Sequence, residues 1–194
     1  MEFKNSIVSN NIRVISAKIW ASKLTWIFSF ALLTAISAQI TIPVKPVPVT
    51  LQTLAVVLAG AFLGAKNGAY SQIVYLFLGI AGLPVFAQTP DAPVGIARLL
   101  GPTGGYLLAF PLAAYLTGLL IEKNKNYFTV VIAMFAGDLL IILVGTLFLD
   151  LFFLKDFKLS LNSGAAVFSI WTVIKVFTAA AIFFTINKNS AAKN

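Results

Sequence analysis

The chain has 194 residues, 59% of them hydrophobic and 10% charged, with a mean hydropathy of +0.94. Soluble domains carry about 25% charged residues, so this chain lacks the polar surface that water demands. It has no cysteine and no histidine, which excludes disulfides, thiolate or imidazole metal sites, cysteine nucleophiles and histidine bases. The net charge of +8 comes without any run of five basic residues. It reads as basic loops beside a membrane, not as a nucleic-acid surface.

Residues 1–23 are polar and hold Lys4, Arg13, Lys18 and Lys23. Ile12, Ile15, Ile19 and Trp20 fit a short helix lying on a membrane surface. A cleavable signal peptide is not expected, because the apolar run begins only near Leu24. Six spans follow, at Leu24–Ile40, Leu51–Gly64, Gly68–Leu83, Gly104–Ile121, Phe128–Leu149 and Gly164–Ile186. The second and third fall short of the roughly 20 residues that a bilayer requires. Gly64 and Gly68 bracket the polar Ala65-Lys66-Asn67, so these two spans are expected to form a hairpin. The expected fold is an all-α integral membrane protein, a bundle of six transmembrane helices. It divides into a cytoplasmic segment 1–23, a membrane domain 24–187 and a cytoplasmic tail 188–194.

With the N-terminus inside, nine Lys and Arg residues fall in inner segments and four in outer ones. That asymmetry places both termini in the cytoplasm. The outer connections are rich in proline: Pro43, Pro46 and Pro48 in one, Pro84, Pro90, Pro93 and Pro102 in the other. Proline excludes regular helix here and favours extended backbone. Non-helical backbone beside membrane helices is tolerated where it lines a cavity.

Two ionisable residues interrupt apolar spans, Asp138 and Lys175. A charge near mid-bilayer costs at least about 2.5–3.5 kcal/mol, so each needs a cavity or a partner. They either pair with each other and hold two helices together, or serve a ligand. In the second case Lys175 meets an anionic group and Asp138 meets hydrogen-bond donors. Helical spacing puts Phe168, Trp171, Thr172, Lys175 and Ala179 on one face. A ring, a hydroxyl and an ammonium together suit a small acid with an apolar body. Arg98 and Asp91, in the long outer connection, are further candidates for ligand contact. Gly101-Pro102-Thr103-Gly104-Gly105 lacks the Lys-Ser/Thr ending of a phosphate loop, so the chain is not expected to hydrolyse ATP by that route. Ala31 and Ala35 share a helix face, as do Gly60 and Gly64, and each pair lets another helix approach closely.

Several stretches together resemble the BioY family, the biotin-specific S components of energy-coupling factor (ECF) vitamin transporters. They are Ala38-Gln39-Ile40-Thr41-Ile42-Pro43, Pro46-Val47-Pro48-Val49-Thr50-Leu51-Gln52-Thr53, Leu58-Ala59-Gly60, Gly79 to Ala87, and Gly101 to Leu107. The likeness runs from about Ala31 to Phe110, roughly 40% of the chain. It implies a substrate-binding subunit in the cell membrane that captures biotin from outside, and that docks on a transmembrane coupling protein driven by two ATPase subunits. No cofactor is implied. The Ala31/Ala35 pair matches a small-residue motif presented to the coupling protein, and Lys175 matches a substrate-contacting lysine of the last helix. Asp138 stands where relatives carry a polar residue in the fifth helix. One departure concerns the residue three before that lysine: Thr172 stands where an aspartate contacting the ureido group is expected. The outer stretch Gln88 to Pro93 is altered too. The alternatives are a carrier of another small carboxylate-bearing solute, or a solitary ion-coupled transporter. An enzyme has little to work with in this sequence.

Overall fold

Helices that are apolar on every side have no face reserved for water, so packing alone decides which side turns inward. The computed structural model of the chain describes residues 22–89, 93–164 and 169–191. Helix α1 (Lys23–Gln39) buries Ile27, Phe30, Ala31, Thr34, Ala35 and Ala38. Its opposite stripe, Leu24, Phe28, Leu32 and Ile36, is exposed. The small and polar residues therefore face the protein, with Ile27 and Phe30, and the remaining large apolar stripe faces out. Membrane bundles show this arrangement, because lipid tails offer no hydrophobic reason to hide leucine.

Helix α2 (Gln52–Ile80) is broken at Gly64, where φ is 77° and ψ is 177°. Side chains other than glycine avoid that conformation. The break folds the helix into two antiparallel legs: a Cβ built on Gly68 would come within 2.8 Å of Gly60 Cα. In a straight helix residues eight apart stand about 12 Å apart. The hairpin is thus as expected, with a smaller turn. Ala65, Lys66 and Asn67 are helical rather than a loop, and Gly68 serves close packing rather than the bend. The new leg's first free N–H, that of Ala65, donates to Glu122 Oε1 at 2.8 Å. A Cβ on Gly60 would collide with the Ala114 carbonyl oxygen, so the glycine pair noted in this span packs against the next long helix of the same chain.

Between α1 and α2 the proline-rich connection forms a two-stranded ladder, β1 (Thr41–Ile42) against β2 (Val49–Thr50), with Thr41 opposite Thr50. The second connection carries a one-turn helix, α3 (Ile96–Leu99). Helix α4 (Gly104–Lys123) and helix α5 (Tyr127–Leu149) follow. Asn126 caps α5, its side-chain oxygen accepting the Thr129 N–H at 2.7 Å. One π-helical turn, Asp150–Leu154, extends α5 and closes with Lys155 N–H on the Asp150 carbonyl at 2.9 Å. A short α6 (Phe157–Gly164) leads to the last long helix, α7 (Ser169–Ala191).

Gly104–Lys123 and Tyr127–Leu154 are each long and apolar enough to cross a bilayer unaided. With α1, α7 and the two legs of α2 they make six crossing segments among the described residues. The sixth expected span was set at Gly164, which instead ends α6. Lys175 therefore stands within the first two turns of α7, in the half of the helix on the side of the proline-rich connections.

Candidate functional site

Both proline-rich connections fold inward over the same end of the bundle. Phe86 and Ala87 are buried, and the Phe86 ring meets Tyr75 edge-on with centroids 5.5 Å apart. Arg98, on α3, is buried as well. It donates from Nη2 to the Ala87 carbonyl at 2.9 Å and from Nη1 to Thr89 Oγ1 at 3.4 Å. Those bonds tie the connection to itself. Partial withdrawal from water lowers the Arg98 pKa, opposed by the nearby Tyr75 hydroxyl. An arginine keeps its charge under such a shift.

Beneath this cover lies a small cavity. Val47, Pro48, Leu107, Phe110 and Ile141 give it apolar walls, while Thr50, Gln52, Thr53, Thr103, Tyr106 and Arg98 contribute polar groups. Its free space is about 30 Å³, room for about one water. A wider vestibule of about 490 Å³ opens outside it, lined by Pro43, Lys45, Pro46, Pro93 and Gly101 among others. Pro48, Arg98 and Thr103 line both spaces and so form the partition between them.

The charged residues of the apolar spans gather behind Thr53, which lines the cavity. Lys175 Nζ donates to Thr53 Oγ1 at 2.6 Å, and Thr172 Oγ1 donates to Asp138 Oδ2 at 2.6 Å. All three α5 and α7 residues are buried: Asp138 is 1% exposed, Lys175 3% and Thr172 8%. Asp138 and Lys175 thus bring opposite formal charges into one buried cluster. That satisfies the condition under which ionisable groups persist at membrane depth. A second polar line runs alongside: Thr50 Oγ1 donates to Gln52 Oε1 at 3.0 Å, the Gln52 amide donates to the Tyr75 hydroxyl, and Tyr75 donates to the Val85 carbonyl at 3.3 Å.

The structure thus brings together Asp138, Thr172 and Lys175, while Arg98 lines the cavity that Thr53 also lines. It does not bring in Trp171, which is 43% exposed. The buried arc of α7 runs through Thr172, Val176, Ala179 and Phe183. Trp171, one residue before Thr172, is turned about 100° from it. Ala31 and Ala35, expected to meet a partner, are 0% and 7% exposed and pack into the chain's own core. Asp91 and Phe168 lie outside the described residues. Sequence reasoning passed over Thr53, Gln52, Tyr75 and Tyr106 as site residues. Their one signal was polarity within or beside apolar spans.

A six-segment membrane bundle with buried charge among its helices and a small cavity under two folded-in connections has the build of a transport protein rather than an enzyme. Comparison with known proteins specifies the group. The sequence profile of the BioY family matches residues 8–192. A Pyrococcus horikoshii protein named "Probable biotin transporter BioY" is 39% identical over 162 residues, covering 84% of this chain and 94% of the relative. "Biotin transporter BioY" of Thermotoga maritima is 37% identical over 159 residues, covering 82% and 92%. The crystal structure of an S-component for biotin from an ECF-type ABC transporter superposes with a TM-score of 0.79 at 29% identity, covering 88% of this chain and 93% of that one. The chain belongs to the BioY family, and it is a membrane protein.

Proposed function

We propose that this chain captures biotin at the end of the bundle closed by the proline-rich connections, as the substrate-binding subunit of an ECF-type transporter. The observation that carries this reading is the lining of the cavity, which sets the apolar Val47, Pro48, Leu107, Phe110 and Ile141 beside the polar Thr50, Gln52, Thr53, Thr103, Tyr106 and Arg98. Biotin has the matching form, with a ureido ring at one end, an acid at the other and an aliphatic chain between. Two cations are available for the acid. Lys175 shares its surroundings with Asp138, whereas the acceptors described for Arg98, a carbonyl and a hydroxyl, are both neutral. The acid therefore goes to Arg98 and the ring to the buried cluster behind Thr53. This reverses the expectation that Lys175 takes the carboxylate, and leaves its ammonium to donate to the ring carbonyl. Small-ligand pockets measure about 300–1,000 Å³, so the partition at Pro48, Arg98 and Thr103 separates to admit the ligand and closes behind it.

The excess of Lys and Arg in the inner segments supports a plasma-membrane orientation with 1–23 and 188–194 in the cytoplasm. The chain carries no phosphate loop, so import draws its energy from a transmembrane coupling protein and two ATPase subunits. Calorimetry of the detergent-purified protein tests the binding. Biotin binds tightly, and biotinamide, which lacks the acid charge, binds about 10–100-fold more weakly, as losing a charge-assisted hydrogen bond implies. Arg98→Gln removes that difference between the two ligands. Absence of biotin binding by the wild-type protein rejects the substrate and moves the search to other small acids.

A further inference from the structure

One oxygen in the buried charged cluster has nothing to bind. Asp138 Oδ2 takes the Thr172 hydroxyl, but Oδ1, equally buried, has no hydrogen-bond partner, and no other described buried side-chain atom is left so. Buried acceptors are ordinarily satisfied, and a charged one is the costliest to leave open. The surroundings point to where a donor arrives. Asp138 does not itself line the cavity, but it stands one turn from Ile141, which does, and its neighbour Lys175 is bonded to Thr53, which does too.

We propose that Asp138 Oδ1 accepts an N–H from the ligand, and that Thr172 is a positioning residue holding Oδ2 so that Oδ1 is presented. The ligand class this selects carries a neutral N–H donor, a urea or an amide, at its inner end. On the biotin reading, on which this inference rests, the donor is a ureido nitrogen. The recognising carboxylate then stands on α5, and α7 contributes the hydroxyl that aims it. Two neighbouring helices share one subsite, so the threonine at position 172 is no defect in it.

The test compares biotin with 2-iminobiotin, whose ring is a protonated guanidinium at neutral pH, on wild-type protein, Asp138→Asn and Thr172→Val. In Asp138→Asn, biotin affinity falls about 10–100-fold, and 2-iminobiotin affinity falls at least tenfold further, because a charge-assisted bond is lost. A carboxylate that merely balances Lys175 weakens both ligands by one factor, and an unchanged ratio overturns the proposal. Thr172→Val keeps the charge and lowers biotin affinity about 3–10-fold in the wild-type background, with no further effect in the Asp138→Asn background. Equal effects in the two backgrounds overturn the positioning role, and no effect of Thr172→Val in the wild-type background overturns it even where the asparagine variant does not fold. If wild-type protein binds no biotin, the functional reading has failed and this inference falls with it; biotin binding with an unchanged ratio sinks the inference alone.

Discussion

Two polar clusters lie deep among the helices, and they are built on different terms. Thr34 of α1 meets Ser71 and Gln72 in the second leg of α2, all three fully buried. Gln72 Nε2 donates to Thr34 Oγ1 at 3.2 Å and to Ser71 Oγ at 3.1 Å. The two hydroxyls also reach backbone carbonyls in their own helices, Thr34 on Phe30 at 2.9 Å and Ser71 on Gly68 at 2.7 Å. This cluster is neutral and closed. The cluster of Asp138, Thr172, Lys175 and Thr53 is charged, and one of its oxygens is open. Closed, neutral polar contacts between membrane helices hold them together. An open, charged one is costly to the fold, and on the proposed reading its open oxygen is met by the ligand.

The largest effect separating the two comes from Lys175→Ala. It deletes a donor to the ligand and leaves Asp138 without its nearby cation. Biotin affinity falls at least about 100-fold, in line with the roughly 3–5 kcal/mol cost of breaking a buried charge pair. Calorimetry reads this directly. Affinity within about threefold of wild type removes Lys175 from the site and erases the distinction drawn here.

Gln72→Leu is the counterpart in the closed cluster. Thr34 and Ser71 keep their backbone acceptors, so the loss stays near the roughly 0.6–1.7 kcal/mol measured for interhelical hydrogen bonds in membrane proteins. Thermal unfolding in detergent shifts down accordingly, and biotin affinity does not change. A variant that unfolds normally but binds biotin poorly shows that this cluster, too, serves the ligand.

The same contrast explains what the sequence could and could not disclose. Asp138 and Lys175 stood out because each interrupts an apolar run, and charge at membrane depth demands a reason wherever the neighbours are. Gly64 between two short apolar runs announced the hairpin for a similarly local reason. Thr53, the partner of Lys175, lies 122 residues away in sequence, and nothing near it in the chain distinguishes it from Thr34, which does structural duty. Trp171 failed to follow its expected side for a physical reason. When every face of a helix is apolar, periodicity no longer tells which face turns inward. The π turn at Asp150 was hidden because Leu151 to Leu154 continue the apolar run of the preceding span, and the short α6 because Lys155, Asp156 and Lys158 read as a polar connection.

A third polar contact, at the opposite end of the bundle, calibrates the smallest effect. Glu122 is exposed, and its carboxylate receives the first free N–H of the second leg of α2. It caps that leg from another helix, which is why the chain can turn on Gly64 alone. Glu122→Ala removes the acceptor, but water reaches this end and takes over part of the bond. The expected destabilisation is therefore that of a lost helix cap, about 0.5–1 kcal/mol, with biotin affinity unaltered. Gly64→Ala, which instead attacks the turn's left-handed backbone, costs about 1–2 kcal/mol and should outweigh it. Thermal unfolding of the two variants side by side checks the order. If Glu122→Ala proves the more damaging, the hairpin depends on its cap rather than on glycine, and polar contacts at the rim of this bundle matter as much as those within it.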